Sequence, residues 1–218
     1  MLQGIKVQFL VDNANSWIIP YAKELCLELN EIGCYTDLVN THQEVKKGDI
    51  LVLLGCEKMF SNLDLNKHNL VVHESDLPLG RGWSPLTWQV LEGKKVIPVS
   101  LFEAANEVDS GDIYAQKKIL LNGSELLKEI KQKQGTVTKE LIHEFIREYP
   151  NVEGRAQVGE TSFYHKRTYS NSQLDINKSI KEQFDLLRVC DNDRYPAHFR
   201  IKNNEYVIKI YRKNNEQF

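Results

Sequence analysis

Val71-Val72-His73-Glu74-Ser75-Asp76-Leu77-Pro78-Leu79-Gly80-Arg81-Gly82-Trp83 is the stretch on which the reading of this chain turns. Residues 69–73 form a short apolar run ending in histidine, which suits a buried parallel strand. A long polar loop follows, with Pro78, Gly80 and Gly82 as turn formers. Ser84-Pro85 then opens a helix, serine at the N-cap and proline at N1, and Gly93 closes it. His73 therefore stands at the carboxyl end of a strand. In open α/β sheets that edge is where ligands bind, so a long, specific loop there marks a candidate site.

The same alternation runs outward in both directions. Residues 5–11 predict a first strand. A turn over 12–16 leads to a helix with Ile18, Ala22, Leu25, Leu29 and Ile32 at helical spacing, Ser16 as its N-cap, Pro20 in its first turn and Gly33 after its end. Residues 34–39 and 49–54 predict two more strands, and 95–102 and 112–120 another two. This argues for an α/β fold: a Rossmann-like, mainly parallel sheet with flanking helices. Residues 124–149 read as helical, interrupted at Gly135. Residues 150–172 are polar and irregular. A last helix is expected to carry Ile176, Ile180, Phe184 and Leu187 on one face, and a hairpin over 198–211 to turn at residues 202–205. The expected division is a catalytic core over 1–150 and a small C-terminal helix and β-hairpin appendage over 151–218.

Composition removes several classes. The chain has 218 residues, 41% hydrophobic and 27% charged, ordinary for a globular protein. Lys+Arg is 28 against Asp+Glu 30, a net charge of -2. Nucleic-acid binders usually carry a basic excess, so no nucleic-acid partner is expected. No apolar run approaches the ~18 residues of a membrane span, and no membrane partner is expected. The first residues lack the pattern of a signal peptide. Cys26, Cys34, Cys56 and Cys190 form no CxxC pair and read as reduced and buried, in a cytoplasmic protein. The first strand-to-helix turn has no glycine, which argues against a dinucleotide site. A Walker loop is absent. His143-Glu144 is not followed by the second histidine of a zincin site, and no metal is expected.

A second tight turn, Val108-Asp109-Ser110-Gly111-Asp112-Ile113-Tyr114, places carboxylates beside the start of a later strand. A histidine and an aspartate from neighbouring strand ends can share a cleft, giving a general acid or base with a partner that orients it. Here the residues resemble a known family. His73-x-Ser75-x-Leu77-Pro78-x-x-Arg81-Gly82 is similar to the H-x-S-L-L-P-x-x-R-G signature of the 10-formyltetrahydrofolate-dependent formyltransferases. Asp109-Ser110-Gly111-Asp112-Ile113 resembles their D-x-G-D-I loop. The likeness covers roughly residues 1–120. Residues 164–175 resemble a stretch of sugar and methionyl-tRNA formyltransferases alike, and the terminal 195–210 resembles a sugar formyltransferase tail, closest to those acting on a UDP-linked amino sugar in pseudaminic acid biosynthesis.

The resemblance implies a formyltransferase fold, 10-formyltetrahydrofolate as co-substrate, and a nucleotide-linked amino sugar as acceptor. A different amine acceptor (aminoacyl carrier or tRNA), formyl-folate hydrolysis and an inactive binding relative are the alternatives. It implies catalytic roles for His73, stabilising an oxyanion, and for Asp112, holding the imidazole or accepting the amine proton. Folate would lie along Lys58, Met59 and Phe60 and along Asp109 and Gly111. Substrate contacts would come from Asn13, Asn15 and Ser16, from Arg81 and Trp83, and from Arg167. A monomer or homodimer is expected. One departure stands out: the family's asparagine, two residues before the histidine, is Val71 here. Losing one oxyanion donor typically costs ~10²–10³ in rate.

Overall fold

The central strands read as unbroken apolar runs because both of their faces are covered. In the computed structural model, which describes residues 4–213, the strands are β1 (Lys6–Leu10), β2 (Tyr35–Val39), β3 (Gly48–Leu53), β4 (Asn66–His73), β5 (Arg81–Gly82), β6 (Val96–Glu103), β7 (Ile113–Leu120), β8 (Phe163–Tyr164), β9 (Ala197–Ile201) and β10 (Asn204–Ile208). The helices are α1 (Ile19–Glu31), α2 (Pro85–Leu91), α3 (Leu127–Glu148) and α4 (Phe184–Val189). One 6-stranded sheet has the order β2-β1-β3-β4-β6-β7. β2, β1, β3 and β4 are mutually parallel. β6 runs antiparallel between β4 and β7. The expected α/β fold with a mainly parallel sheet and a C-terminal hairpin is the observed one. No helix among the described residues is long and apolar enough to cross a membrane.

Period-two alternation divides the core in two. Val7, Phe9, Ile50, Val52, Leu70, Val99 and Leu101 face the helices, against Leu25 and Leu29 of α1, Val90 of α2, and Ile142 and Phe145 of α3. Leu10, Leu51 and Leu53 face the other way, under Val45 and Phe60 from loops. Each such fully buried side chain stabilises the fold by about 1.5–3 kcal/mol. The helices thus share one face, and the opposite face is covered by loops.

Several local expectations change. The N-cap of α1 is Ile18, not Ser16. Ser16 belongs to the preceding turn, its N–H donated to the Asn13 carbonyl and its carbonyl accepting from Ile19. α3 is one continuous helix of 22 residues through Gly135. That glycine marks a close approach instead of a break, since a Cβ there would run into the Tyr21 ring of α1. The last helix begins only at Phe184, and Ile176 and Ile180 are 58% and 74% exposed. The Gln183 side chain takes the Asp175 N–H and donates to the Asp175 carbonyl, which closes a turn where the stripe predicts helix. The hairpin turns on Lys202 and Asn203 alone, with Lys202 at φ 54, so Asn204 and Glu205 lie in the strand. Among the described residues no disulfide forms. Cys34 and Cys190 are buried, but Cys26 and Cys56 are only half-buried. Burial pushes the Cys56 thiol up to about 12, with Asp12 adding to the shift, so it is no nucleophile at neutral pH.

α4 is joined to the start of α3 through a buried carboxylate. Glu125 is 4% exposed. It accepts from the Asn122 and Gly123 N–H groups and from Lys133 Nζ, and Arg188 NH1 of α4 stands 3.9 Å away. Burial alone would raise this carboxyl. The Lys133 and backbone hydrogen bonds outweigh it and hold the pKa at about 2. A carboxyl depressed in the folded state stabilises above its ordinary pKa of 4.5, and the gain is lost as pH falls through the folded value. Glu125→Gln is therefore expected to cost about 2–3 kcal/mol at pH 7. In urea melts from pH 7 to pH 2, the gap to the unsubstituted protein should narrow below pH 4.5 and close near 2.

Candidate active site

Because β1, β3 and β4 are parallel, the loops after them emerge at one sheet edge. β4 brings His73 there, 7% exposed. The ring packs edge-on against Phe102 of β6. Its Nε2 donates to the Gly80 carbonyl at 2.9 Å, which assigns the proton to that nitrogen. Asp109 Oδ2 lies 3.5 Å from the same nitrogen. That carboxylate is itself fixed, accepting the Gly82 N–H at 2.8 Å. Asp109 sits at φ 51, a left-handed conformation that aspartate tolerates better than most residues.

Arg81-Gly82 pairs with Phe163-Tyr164, so the loop after His73 is pinned by a strand from far along the chain. Gly82 has φ 100, and a Cβ there would strike the Tyr164 carbonyl. Gly80 lies against Ser75 and the Tyr164 ring. Ser75 is buried, and its carbonyl accepts from Ser100 Oγ at 2.7 Å. Its own Oγ is buried without a partner. The next carboxylate, Glu74, accepts from Gln134 Nε2 of α3 at 2.7 Å. Burial raises its pKa, against the pull of His73 and the Gln134 bond.

The structure brings Asp109, and not Asp112, to His73. The cause is strand parity: Ile113 points into the core, so Asp112 before it points outward and is exposed. Asp112 contributes its carbonyl, which accepts from the Glu103 N–H. Gly111 is likewise a backbone device, since a Cβ there would run into the Glu103 carbonyl. Arg81 turns inward. It is 9% exposed and donates to Gln157 Oε1 at 2.7 Å. Trp83 stands half-exposed at the mouth, its N–H on the Tyr164 carbonyl. Arg167 lies further along the chain and donates to Ser172 Oγ at 3.1 Å.

The remaining candidates border the same edge. Asn13 Nδ2 donates to Glu57 Oε1 at 2.7 Å, and its Oδ1 takes the Asn15 N–H. Asp12 receives the Glu57 and Lys58 N–H groups, which anchors the loop after β3. Lys58 and Met59 are exposed there, while Phe60 is buried against the sheet. Val71 lies on the His73 side of β4 and adds no polar atom. Its side chain packs against the cluster that holds Leu53 and Phe60 and against that of Leu77, Phe102 and Ile113. Asn69 does not replace the missing amide. β4 continues to His73, which leaves Asn69 two pleats back, donating to the Leu63 carbonyl.

A buried imidazole paired with a fixed carboxylate, beside an apolar floor, is equipped to hold and move a proton at a bound ligand. The sequence model of the family described as "Formyl transferase" matches residues 33–146, just over half of the chain. The chain belongs to the formyl transferase family. A curated relative is the methionyl-tRNA formyltransferase of Prochlorococcus marinus, 27% identical over 177 residues, 77% of this chain and 47% of that protein. This formyl transferase chain thus spans about half the length of that relative. In fold it is similar to methionyl-tRNA formyltransferase from Clostridium thermocellum, with TM-score 0.82, 19% identity, and 98% and 95% of the two chains covered. It is also similar to HypX from Aquifex aeolicus in complex with tetrahydrofolic acid, with TM-score 0.75, 18% identity, and 95% and 38% covered. A sugar N-formyltransferase from Shewanella has TM-score 0.66, 14% identity, and 97% and 99% covered.

The Gly82 contact generates a prediction about this site. Gly82→Ala places a methyl group against the Tyr164 carbonyl at a positive φ. It should destabilise the protein by about 1–3 kcal/mol in denaturant melts.

Proposed function

We propose that this formyl transferase moves the formyl group of 10-formyltetrahydrofolate to an amine, with His73 and Asp109 as the working pair. The observation that carries the reading is the 3.5 Å approach of Asp109 Oδ2 to His73 Nε2 at the carboxyl edge of the sheet. The residues also fit the co-substrate. Leu53, Phe60, Val71 and Ala104 give an apolar floor, suited to a flat heteroaromatic ring, and Met59 is exposed beside it.

When bound, the folate supplies an activated formyl carbon on N10. The attacking amine must be neutral; its new bond to the formyl carbon puts negative charge on the formyl oxygen, and the bond to N10 breaks as that charge collapses. Asp109 Oδ2, held by the Gly82 N–H, accepts the proton that the amine sheds. His73 presents its Nε2–H to the formyl oxygen as charge builds there, and the proton taken up by Asp109 is relayed through His73 to the departing nitrogen, so that neither side chain ends with a changed charge. Val71 leaves one donor fewer at that oxygen than the family pattern has. The Ser75 hydroxyl, buried and without a partner, is the side-chain donor nearest in sequence that can make up the difference.

We take the acceptor to be a nucleotide-linked amino sugar, a UDP-4-amino-4,6-dideoxy sugar by the resemblance of residues 195–210. The net charge of -2 agrees with a small acceptor over a polyanion. A methionyl-tRNA acceptor is the second reading, favoured by the curated relative's name.

The test is mass spectrometry of the protein with 10-formyltetrahydrofolate and a panel of UDP- and dTDP-linked amino sugars, with methionyl-tRNA as a separate arm. One added formyl on a sugar supports the first reading, and formylated methionyl-tRNA the second. No transfer in either arm overturns both. His73→Ala and Asp109→Asn should each lower kcat by about 10²–10⁴, whereas Asp112→Asn should stay within about tenfold of the unsubstituted enzyme.

A further inference from the structure

Gln157 lies in the polar stretch after α3, where nothing in the sequence singles it out. Its amide makes three hydrogen bonds. Nε2 donates to the Asp109 carbonyl at 2.9 Å and to the Gly111 carbonyl at 2.8 Å. Oε1 accepts from Arg81 NH2 at 2.7 Å. Arg81 precedes Gly82, whose N–H holds the Asp109 carboxylate at 2.8 Å. A closed ring results: Asp109 carboxylate to Gly82, Arg81 side chain to Gln157, Gln157 back to the Asp109 carbonyl. We propose that Gln157 is a positioning residue, the clamp that holds Asp109 in its left-handed conformation with its carboxylate on His73. This rests on the formyl-transfer reading above.

The chemistry of the amide explains why glutamine serves here. Both loops need something from one side chain: two donors for the carbonyls of 109 and 111, and an acceptor for Arg81. A neutral amide supplies all three. Among the described residues Arg81 is in no ion pair, and its Nε is buried without a partner. A carboxylate at 157 would satisfy Arg81 but would repel the two carbonyls and set a second negative charge beside Asp109. The amide thus ties Arg81 without competing for His73. Precision at such a pair matters, because a 1 Å misplacement can cost about 10² in rate.

Gln157→Glu separates the two halves of the clamp. It keeps the Arg81 bond and removes both donors, whereas Gln157→Ala removes everything. With 10-formyltetrahydrofolate and the acceptor that reacts in the assay above, both variants are expected to lose kcat by about 10–100-fold. The KM for 10-formyltetrahydrofolate should stay within about threefold. Wild-type kcat in Gln157→Glu overturns the clamp and leaves only the Arg81 bond. A second readout needs no turnover: imidazole resonances of the resting protein, with His73 assigned by its loss in His73→Gln. The His73 signals should move in Gln157→Glu, while those of His143, paired with Glu28 on the far helical layer, should not. Unmoved His73 signals overturn the proposal even if the unsubstituted protein transfers no formyl group, an outcome that would overturn the functional reading alone.

Discussion

The hydrogen bond from the Gly82 N–H to the Asp109 carboxylate joins two loops that leave the sheet on different strands. One follows His73 at the end of β4 and carries Gly82; the other precedes β7 and carries the carboxylate. Neither loop is rigid by its own composition, and each is held by backbone contacts that tolerate no side chain. Gly82 must meet the Tyr164 carbonyl, and Gly111 must meet the Glu103 carbonyl. The R-G and S-G dipeptides are therefore spacers in a mechanical sense. They bring two main chains close enough that one N–H can fix where the Asp109 carboxylate stands relative to His73.

The parallel half of the sheet was legible in the sequence because buried strands leave continuous apolar runs, and the loop after His73 because its turn residues cluster. The carboxylate was harder. Asp109 and Asp112 are both aspartates in one turn, and the family pattern contains both. Strand parity decides between them: Ile113 must enter the core, so Asp112 faces out. That signal was present in the sequence, as an apolar residue directly after an aspartate. Gln157 was not legible, since a glutamine in a polar stretch looks like any solvated residue until its partners arrive from loops far away in sequence. The stripe of Ile176, Ile180 and Phe184 misled for a related reason. A single side chain, Gln183, satisfied the turn's backbone groups more locally than a helix would.

Val71 shows a site whose polarity has been redistributed. Where the family resemblance implies an amide, Val71 is an aliphatic side chain that belongs to two apolar clusters at once. On the His73 side of β4 it adds apolar surface shared with the clusters of Phe60 and of Phe102. Lower local dielectric strengthens the hydrogen bonds that remain, so the imidazole N–H acts in surroundings where each donor counts for more.

The pairing of β5 with β8 has a consequence for the order of assembly. Gly80 and Ser162 are 82 residues apart, and closing so long a loop carries an entropic cost that local contacts do not offset. On a ribosome adding about 5–20 residues each second, every strand of the central sheet and the whole of α3 are synthesised before Tyr164 emerges. The nascent chain can thus hold most of the sheet's hydrophobic core, all but the Val189 contribution of α4, while its imidazole and carboxylate are still unacquainted. Formation of the sheet and completion of the His73–Asp109 geometry become two separate events, the second waiting on a short ribbon that arrives late.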